Sequence, residues 1–165
     1  MIEPEVFQRY AKYNAWMNGK LYDVCSTLDD DLRKRDQGAF FKSIHSTLNH
    51  ILFGDRAWMG RFTGRDYEIK PIGVDLYEDF EVLRAARTEM DQDILDWTSG
   101  LGRPWLERSL TWTSGSDGKT RSQVTWQLVL HMFNHQTHHR GQLTTLFSQQ
   151  GLDIGPTDMP WMPDT

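Results

Sequence analysis

The chain is 165 residues long, carries a formal charge of −5 and contains one cysteine, Cys25. That length suits one domain with a real core, and the acidic balance, with a pI near 5.6, argues against the basic face a duplex nucleic-acid binder needs. A single cysteine excludes an intrachain disulfide and a thiolate-rich zinc site, and it fits a reducing compartment. No stretch approaches the roughly 18 uninterrupted apolar residues of a membrane span, and Glu3 and Glu5 stand where a secretory leader would be basic. The expectation is a cytoplasmic protein without membrane or nucleic-acid partners.

The spacing predicts a first helix from about Pro4, a residue suited to a first turn, to about Leu28. Val6, Tyr10, Tyr13, Met17, Leu21, Val24 and Leu28 give it the three-to-four rhythm of a buried face. Asp29 to Gly38 is a charged connection in which Arg33, Lys34 and Arg35 balance Asp29, Asp30 and Asp31. A second helix is expected from about Ala39 to Phe62, on a spine of Phe41, Ile44, Leu48, Ile51, Met59 and Phe62. Asp55 is the polar exception on that spine. His50 lies well off it, on a strip with Ser43, Thr47, Gly54, Ala57 and, at its edge, Trp58. Such small residues would let another helix or a ligand approach closely.

Thr63 to Val74 carries two glycines and a proline with little apolar periodicity, and so is a loop. It is longer than the usual connection of about 2–8 residues between antiparallel helices, and suggests a crossover that leaves its flanking helices parallel. The third helix is expected from about Leu76 to Trp97, through Phe80, Leu83, Ala86 or Arg87, Met90 and Ile94. Arg84 and Arg87, among Glu81, Glu89 and Asp91, are expected on its wet side. Leu106, Arg108, Leu110 and Trp112 then alternate with polar residues, and Ser114 to Gly118 is a turn cluster, so a small β-hairpin precedes the last helix. Thr120 or Ser122 would cap that helix, Gly151 would end it, and the proline-bearing tail would cover the helices in an extended conformation.

Four of the six histidines, His131, His135, His138 and His139, fall within nine positions of the last helix. At about 100° per residue, His131, His135 and His139 form a row, flanked by Leu128, Met132, Leu143 and Leu146. Imidazoles on an apolar face need partners, and a pair at i and i+4 can reach one metal ion. A third ligand should come from a facing helix, where His45 and His50, about 140° apart on the wheel, cannot both face one site. His131 is equally open as a ligand or as part of a hydrogen-bonded column, and His138 lies at the margin of the row.

Other chemistries fit less well. In a His-Glu-x-x-His protease the glutamate is the base, and Gln136 holds that place here. The di-iron bundles need Glu-x-x-His, but Met132 and Gln136 occupy the positions three before His135 and His139. There is no Gly-x-Ser-x-Gly elbow and no glycine-rich phosphate loop.

The stretch from Gly38 to Trp58, with His50 within it, resembles the second-helix signature of the DinB/YfiT-like metalloenzymes. Asn134-His135-Gln-Thr-His138-His139-Arg140-Gly141-Gln142 resembles their fourth-helix signature, and Tyr13-Asn14-Ala-Trp16 extends the likeness to nearly the full length. The resemblance implies a four-helix bundle in up-down-down-up order; with the small β-hairpin read from the alternation inserted before the last helix, the expectation is an all-α single domain over 1–165. The resemblance also implies a three-histidine metal site at His50, His135 and His139, with His131 lining the pocket or standing behind the ligands. Three neutral imidazoles leave positions open on a divalent ion, for which zinc or nickel is expected among the metals imidazole suits. Characterised relatives include transferases and isomerases that use low-molecular-weight thiols, so a metal-dependent thiol S-transferase acting on a small molecule leads. Metal-dependent hydrolysis follows, and a non-catalytic metal-binding stress protein is the alternative of a different class, since no general base stands beside the ligands. A homodimer is the expected assembly by the same resemblance.

Overall fold

The computed structural model describes residues 2–163. Helix α1 (Pro4–Ser26) carries its proline in the first turn and buries Phe7, Ala11, Met17, Leu21 and Cys25 together with Asn14 and Asn18. The charged connection contains a short helix, α2 (Asp30–Lys34), capped by the Asp29 carboxylate, which accepts from the Leu32 N–H at 2.7 Å.

The second long helix starts later than its apolar pattern suggests, at Ile44, and α3 spans Ile44–Thr63. Ser43 caps it, its hydroxyl accepting from the Ser46 N–H at 3.0 Å. Before the cap, Ala39 to Lys42 reverse tightly: the Lys42 N–H donates to the Ala39 carbonyl at 2.8 Å, and Lys42 takes φ +67°. A residue in the left-handed region cannot continue a helix, so Phe41 leaves the expected spine. Gly64, at φ +75°, closes α3 by donating its N–H to the Gly60 carbonyl.

Helix α4 (Phe80–Ser99) also starts later than expected, because Asp79 caps it by accepting from the Val82 N–H at 2.9 Å. Leu76 is buried outside the helix, and the Tyr77 carbonyl accepts from the His45 ring at 2.8 Å and from Asn49 at 3.1 Å. Leu106 enters the core from a short helix, α5 (Arg103–Glu107), rather than from a strand. The hairpin follows as β1 (Ser109–Thr113) and β2 (Thr120–Val124), antiparallel, with Ser109 opposite Val124 and Thr113 opposite Thr120.

The chain passes from β2 straight into α6 (Thr125–Gln149), so neither Thr120 nor Ser122 caps that helix. Thr125 instead ties its start to the hairpin, its N–H and hydroxyl donating to the Arg108 carbonyl at 2.9 and 2.6 Å. At the other end Gly151, φ +73°, lets the Leu152 N–H return to the Phe147 carbonyl at 3.0 Å. The tail lies on α1, where the Tyr13 hydroxyl donates to the Thr157 carbonyl at 2.6 Å and Met162 is buried.

The protein is mostly helical with one small antiparallel hairpin. Contacts between α1 and α4 run antiparallel, Asn18 meeting Asp91 and Asp23 meeting Arg84. Those between α3 and α4 run parallel, Asp55 meeting Arg87 and Phe62 meeting Trp97. Helix α6 lies antiparallel to α3, with His50 beside His139 and Trp58 beside His131, and parallel to α1, with Tyr10 on Phe133 and Asn14 beside Arg140. The side chains shared by these faces, among them Phe7, Leu21, Ile51, Leu83, Met132 and Phe133, make one continuous core. Each fully buried leucine, isoleucine or phenylalanine in it stabilises by about 1.5–3 kcal/mol. Among the described residues no helix is long and apolar enough to cross a membrane.

Candidate metal centre

The antiparallel crossing of α3 and α6 brings together three of the six histidines. His50 Nε2 lies 3.1 Å from His135 Nε2, and His139 Nε2 lies 3.1 Å from the same atom. One ring nitrogen from each residue falls within 4.8 Å of the others, a grouping that could hold a metal ion. Two imidazole nitrogens bound to one tetrahedral zinc at 2.0–2.1 Å stand about 3.3 Å apart, so the rings are already near that spacing.

The close approach has a cause in the sequence. Gly54 sits one turn after His50 and faces His135, and a Cβ on it would lie 2.7 Å from His135 Cε1. Only glycine leaves the imidazole its room. Gln142, one turn beyond His139, places its Oε1 2.8 Å from His139 Nδ1. An acceptor there assigns the ring hydrogen to Nδ1 and leaves Nε2 with its lone pair towards the other two rings. Phe41, displaced from the helix by the Lys42 turn, stacks on His50 with ring centres 3.8 Å apart and meets His139 edge-on at 5.5 Å.

Electrostatics keep these rings neutral. Burial lowers the His50 pKa to about 4, with His139 adding to it. Burial and then the neighbouring histidines, His139 first, lower His135 to about 3. His139 is lowered as well, again mainly by burial and against the pull of Gln142. Three neutral imidazoles whose nitrogens face one another are a donor set for a divalent ion, since neither protonation nor full mutual hydrogen bonding can satisfy all three.

The DinB family model matches residues 1–165. The chain belongs to the DinB family. Protein DinB of Bacillus subtilis (strain 168) is 26% identical to it over 153 residues, covering 89% of this chain and 87% of that protein. A DinB-like protein from Bacillus cereus ATCC 10987, known from a crystal structure at 2.01 Å resolution, superposes with a TM-score of 0.71 at 19% identity. The match covers 92% of this chain and 95% of that one, and it shows a common fold.

Within this DinB-family fold the remaining histidines go elsewhere. His131 does not join the three: its ring lies 6.2 Å from that of His135 and packs edge-on against Trp58 at 5.3 Å. The row on α6 therefore runs from exposed His131 through half-buried His135 to His139, only 7% exposed; it borders the core instead of entering it throughout. His138 is exposed beside Gln142, and His45 is spent on the Tyr77 carbonyl.

Beneath the imidazoles lies a second polar group. Asp55 accepts from Arg87 and from Gln136, each at 2.5 Å, and Arg87 lies 2.9 Å from Asp91. Asp91 also accepts from Asn14 and Asn18, while Arg140 donates to the Asn14 side chain and, at 3.2 Å, to the side-chain Oε1 of Gln136. Arg87 and Asp91, expected on the wet side of α4, are thus buried, with Arg87 only 2% exposed. Gln136, standing where a protease would have its glutamate, is a relay between Asp55 and Arg140. Sequence reasoning missed Phe41, Gln142 and this network as neighbours of the site; the one available signal was Asp55 on an apolar spine, which demands a buried cation.

Proposed function

We propose that this DinB-family protein binds a divalent metal, zinc or nickel, through His50, His135 and His139, and uses it as a thiol S-transferase acting on a small molecule. The observation that carries the reading is the convergence of three neutral imidazole nitrogens without a carboxylate. Among the described residues no acid hydrogen-bonds any of the three rings, and Asp75, the one carboxylate lining the adjoining cavity, accepts from Ser46 at 3.0 Å. Metal-assisted hydrolysis wants a group to take a proton from water, and that requirement places it second. A bound divalent ion supplies the acidity that holds a thiol as its thiolate, with no separate base.

The chain's own parts in such a reaction follow from their positions. His139, oriented by Gln142, and His135, seated against Gly54, hold two sides of the site, while His50 crosses from α3 to complete it. Phe41 covers one face of the His50 ring by stacking on it. In the transfer a carbon–sulfur bond forms, the electrophile's leaving group departs with its electron pair, and the thiol proton passes to solvent. The same reading takes the four long helices as one bundle in up-down-down-up order within a single domain over 1–165, supported by the directions of their contacts, and expects two copies to pair in a homodimer.

Elemental analysis of the purified protein and of His50→Ala, His135→Ala and His139→Ala tests the site: each variant should lose the metal, and full occupancy in all three overturns the assignment. A panel of low-molecular-weight thiols and electrophiles, run on metal-free and reconstituted protein, tests the reaction. Turnover that returns with metal supports the transferase; metal-independent rates throughout leave a metal-binding protein without this activity.

A further inference from the structure

A cavity of about 400 Å³ opens beside His50, between the turn that precedes α3 and the loop that precedes α4. His50 and Ser46 lie on its floor, and Phe40, Phe41, Phe53, Ile72 and Val74 form its walls. Three of these wall residues are large apolar groups left in the open: Phe40 is 83% exposed, Ile72 52% and Val74 51%. The chain concentrates much of its exposed apolar surface on two loops around one concave site, which is the pattern of a small-molecule pocket.

The polar groups of the cavity are unequal. Asp75 is engaged by the Ser46 hydroxyl. Lys42, also in the lining, makes no side-chain hydrogen bond or ion pair among the described residues, and it is their one non-glycine residue at positive φ, +67°. A side-chain-bearing residue held in the left-handed region is costly where glycine or asparagine would serve, and such an outlier beside a pocket points to use of the side chain.

We infer that this cavity binds an organic acid, a small molecule whose ring-sized apolar body lies among Phe40, Phe41, Phe53, Ile72 and Val74 and whose anionic group pairs with Lys42. The bound molecule would be the co-substrate presented to the histidine centre, and in that respect the inference rests on the reading of the centre given above. Binding itself needs no metal, because the ammonium and the apolar walls belong to the protein.

Calorimetric titration with 2-naphthoate, 2-naphthalenemethanol and acetate separates the two ends of the molecule. The naphthoate should bind at least about tenfold more tightly than either the neutral alcohol or acetate, to metal-free and reconstituted protein alike. Lys42→Asn, which tolerates positive φ and keeps the fold, should bring naphthoate down to the level of the alcohol. Val74→Ser, which trims the apolar wall without adding charge, should weaken both naphthalene compounds and leave acetate unchanged. Equal naphthoate affinity in wild type and Lys42→Asn overturns the inference. So does binding confined to reconstituted protein, which would put the carboxylate on the ion, or a sedimentation equilibrium in which Phe40→Ser separates two copies, which would mean that a second chain covers the cavity. His135→Ala keeps this failure distinct from failure of the metal reading: it should lose the metal and still bind naphthoate.

Discussion

His135 and Gln136 are neighbours on α6, yet they face two different kinds of polar interior. Gln136 enters a group in which each charge has an opposite, Asp55 and Asp91 against Arg87 and Arg140, with Asn14 and Asn18 donating to Asp91. His135 enters a group of like kind, three imidazoles whose nitrogens face one another with few other partners. The first group draws on α1, α3, α4 and α6 and is closed in charge, its acids facing guanidinium groups. The second draws on α3 and α6 alone and is left incomplete. A polar group whose charges are paired within the protein serves the fold, whereas one whose lone pairs converge on empty valence is built for something added from outside.

The largest effect should come from opening the closed group. Arg87→Met leaves Asp55 and Asp91 buried without their shared cation and should cost about 3–5 kcal/mol, read as a drop in the urea or thermal midpoint, while the metal content of the folded fraction stays intact. A loss below about 1 kcal/mol would mean the network is not paired as described. Gly54→Ala should do the reverse. The added methyl drives His135 out of register, so metal binding falls at least about tenfold, while alanine's better helix propensity, by about 1 kcal/mol, holds metal-free stability at or above that of the parent. Full metal occupancy in this variant would show that His135 accommodates the methyl and that the close approach is incidental. Gln142→Leu is gentler. Releasing the Nδ1 hydrogen of His139 should weaken the metal by about 10–100-fold in a chelator-competition titration, with the metal-free fold unchanged.

The two groups were also unequally legible in the sequence. The histidine pair announced itself through the i, i+4 spacing of His135 and His139 on a helix, and the small strip around His50 pointed to close approach, which Gly54 provides. The identity of the third ring came from the family resemblance, because wheel geometry alone gave His131 equal standing. The closed network was hidden. Arg87 and Asp91 form an i, i+4 charge pair, the ordinary sign of a solvated helix face, and only tertiary packing turns that face inward. Yet Asp55 on the apolar spine and Arg87 as an alternative spine position were both visible, and a buried acid needs a buried base. Local chemistry overrode the hydrophobic rhythm at element starts: Ser43 and Asp79 set where α3 and α4 begin, and the Lys42 turn carried Phe41 off the helix and onto His50.

The last contrast separates the groups by their response to acid. His50 and His135 titrate near 4 and 3 in the folded protein against an ordinary value of 6.5, with burial as the first cause. Between about pH 6.5 and 4 the unfolded chain therefore holds more protons than the native one, and by linkage stability falls as pH falls. The contribution is complete above pH 6.5 and is lost progressively below it. Asp55 and Asp91 run the other way: burial, against the pull of Arg87, holds both carboxyls above 3.8, so the network adds no acid lability in that window. Metal-free protein followed by urea unfolding from pH 7 to pH 4 should lose stability, and the double variant His50→Ala, His135→Ala should flatten that slope. An equal slope in the double variant would move the acid sensitivity away from the histidines. With metal present the fall should be steeper, because protons and the ion then compete for the same nitrogens.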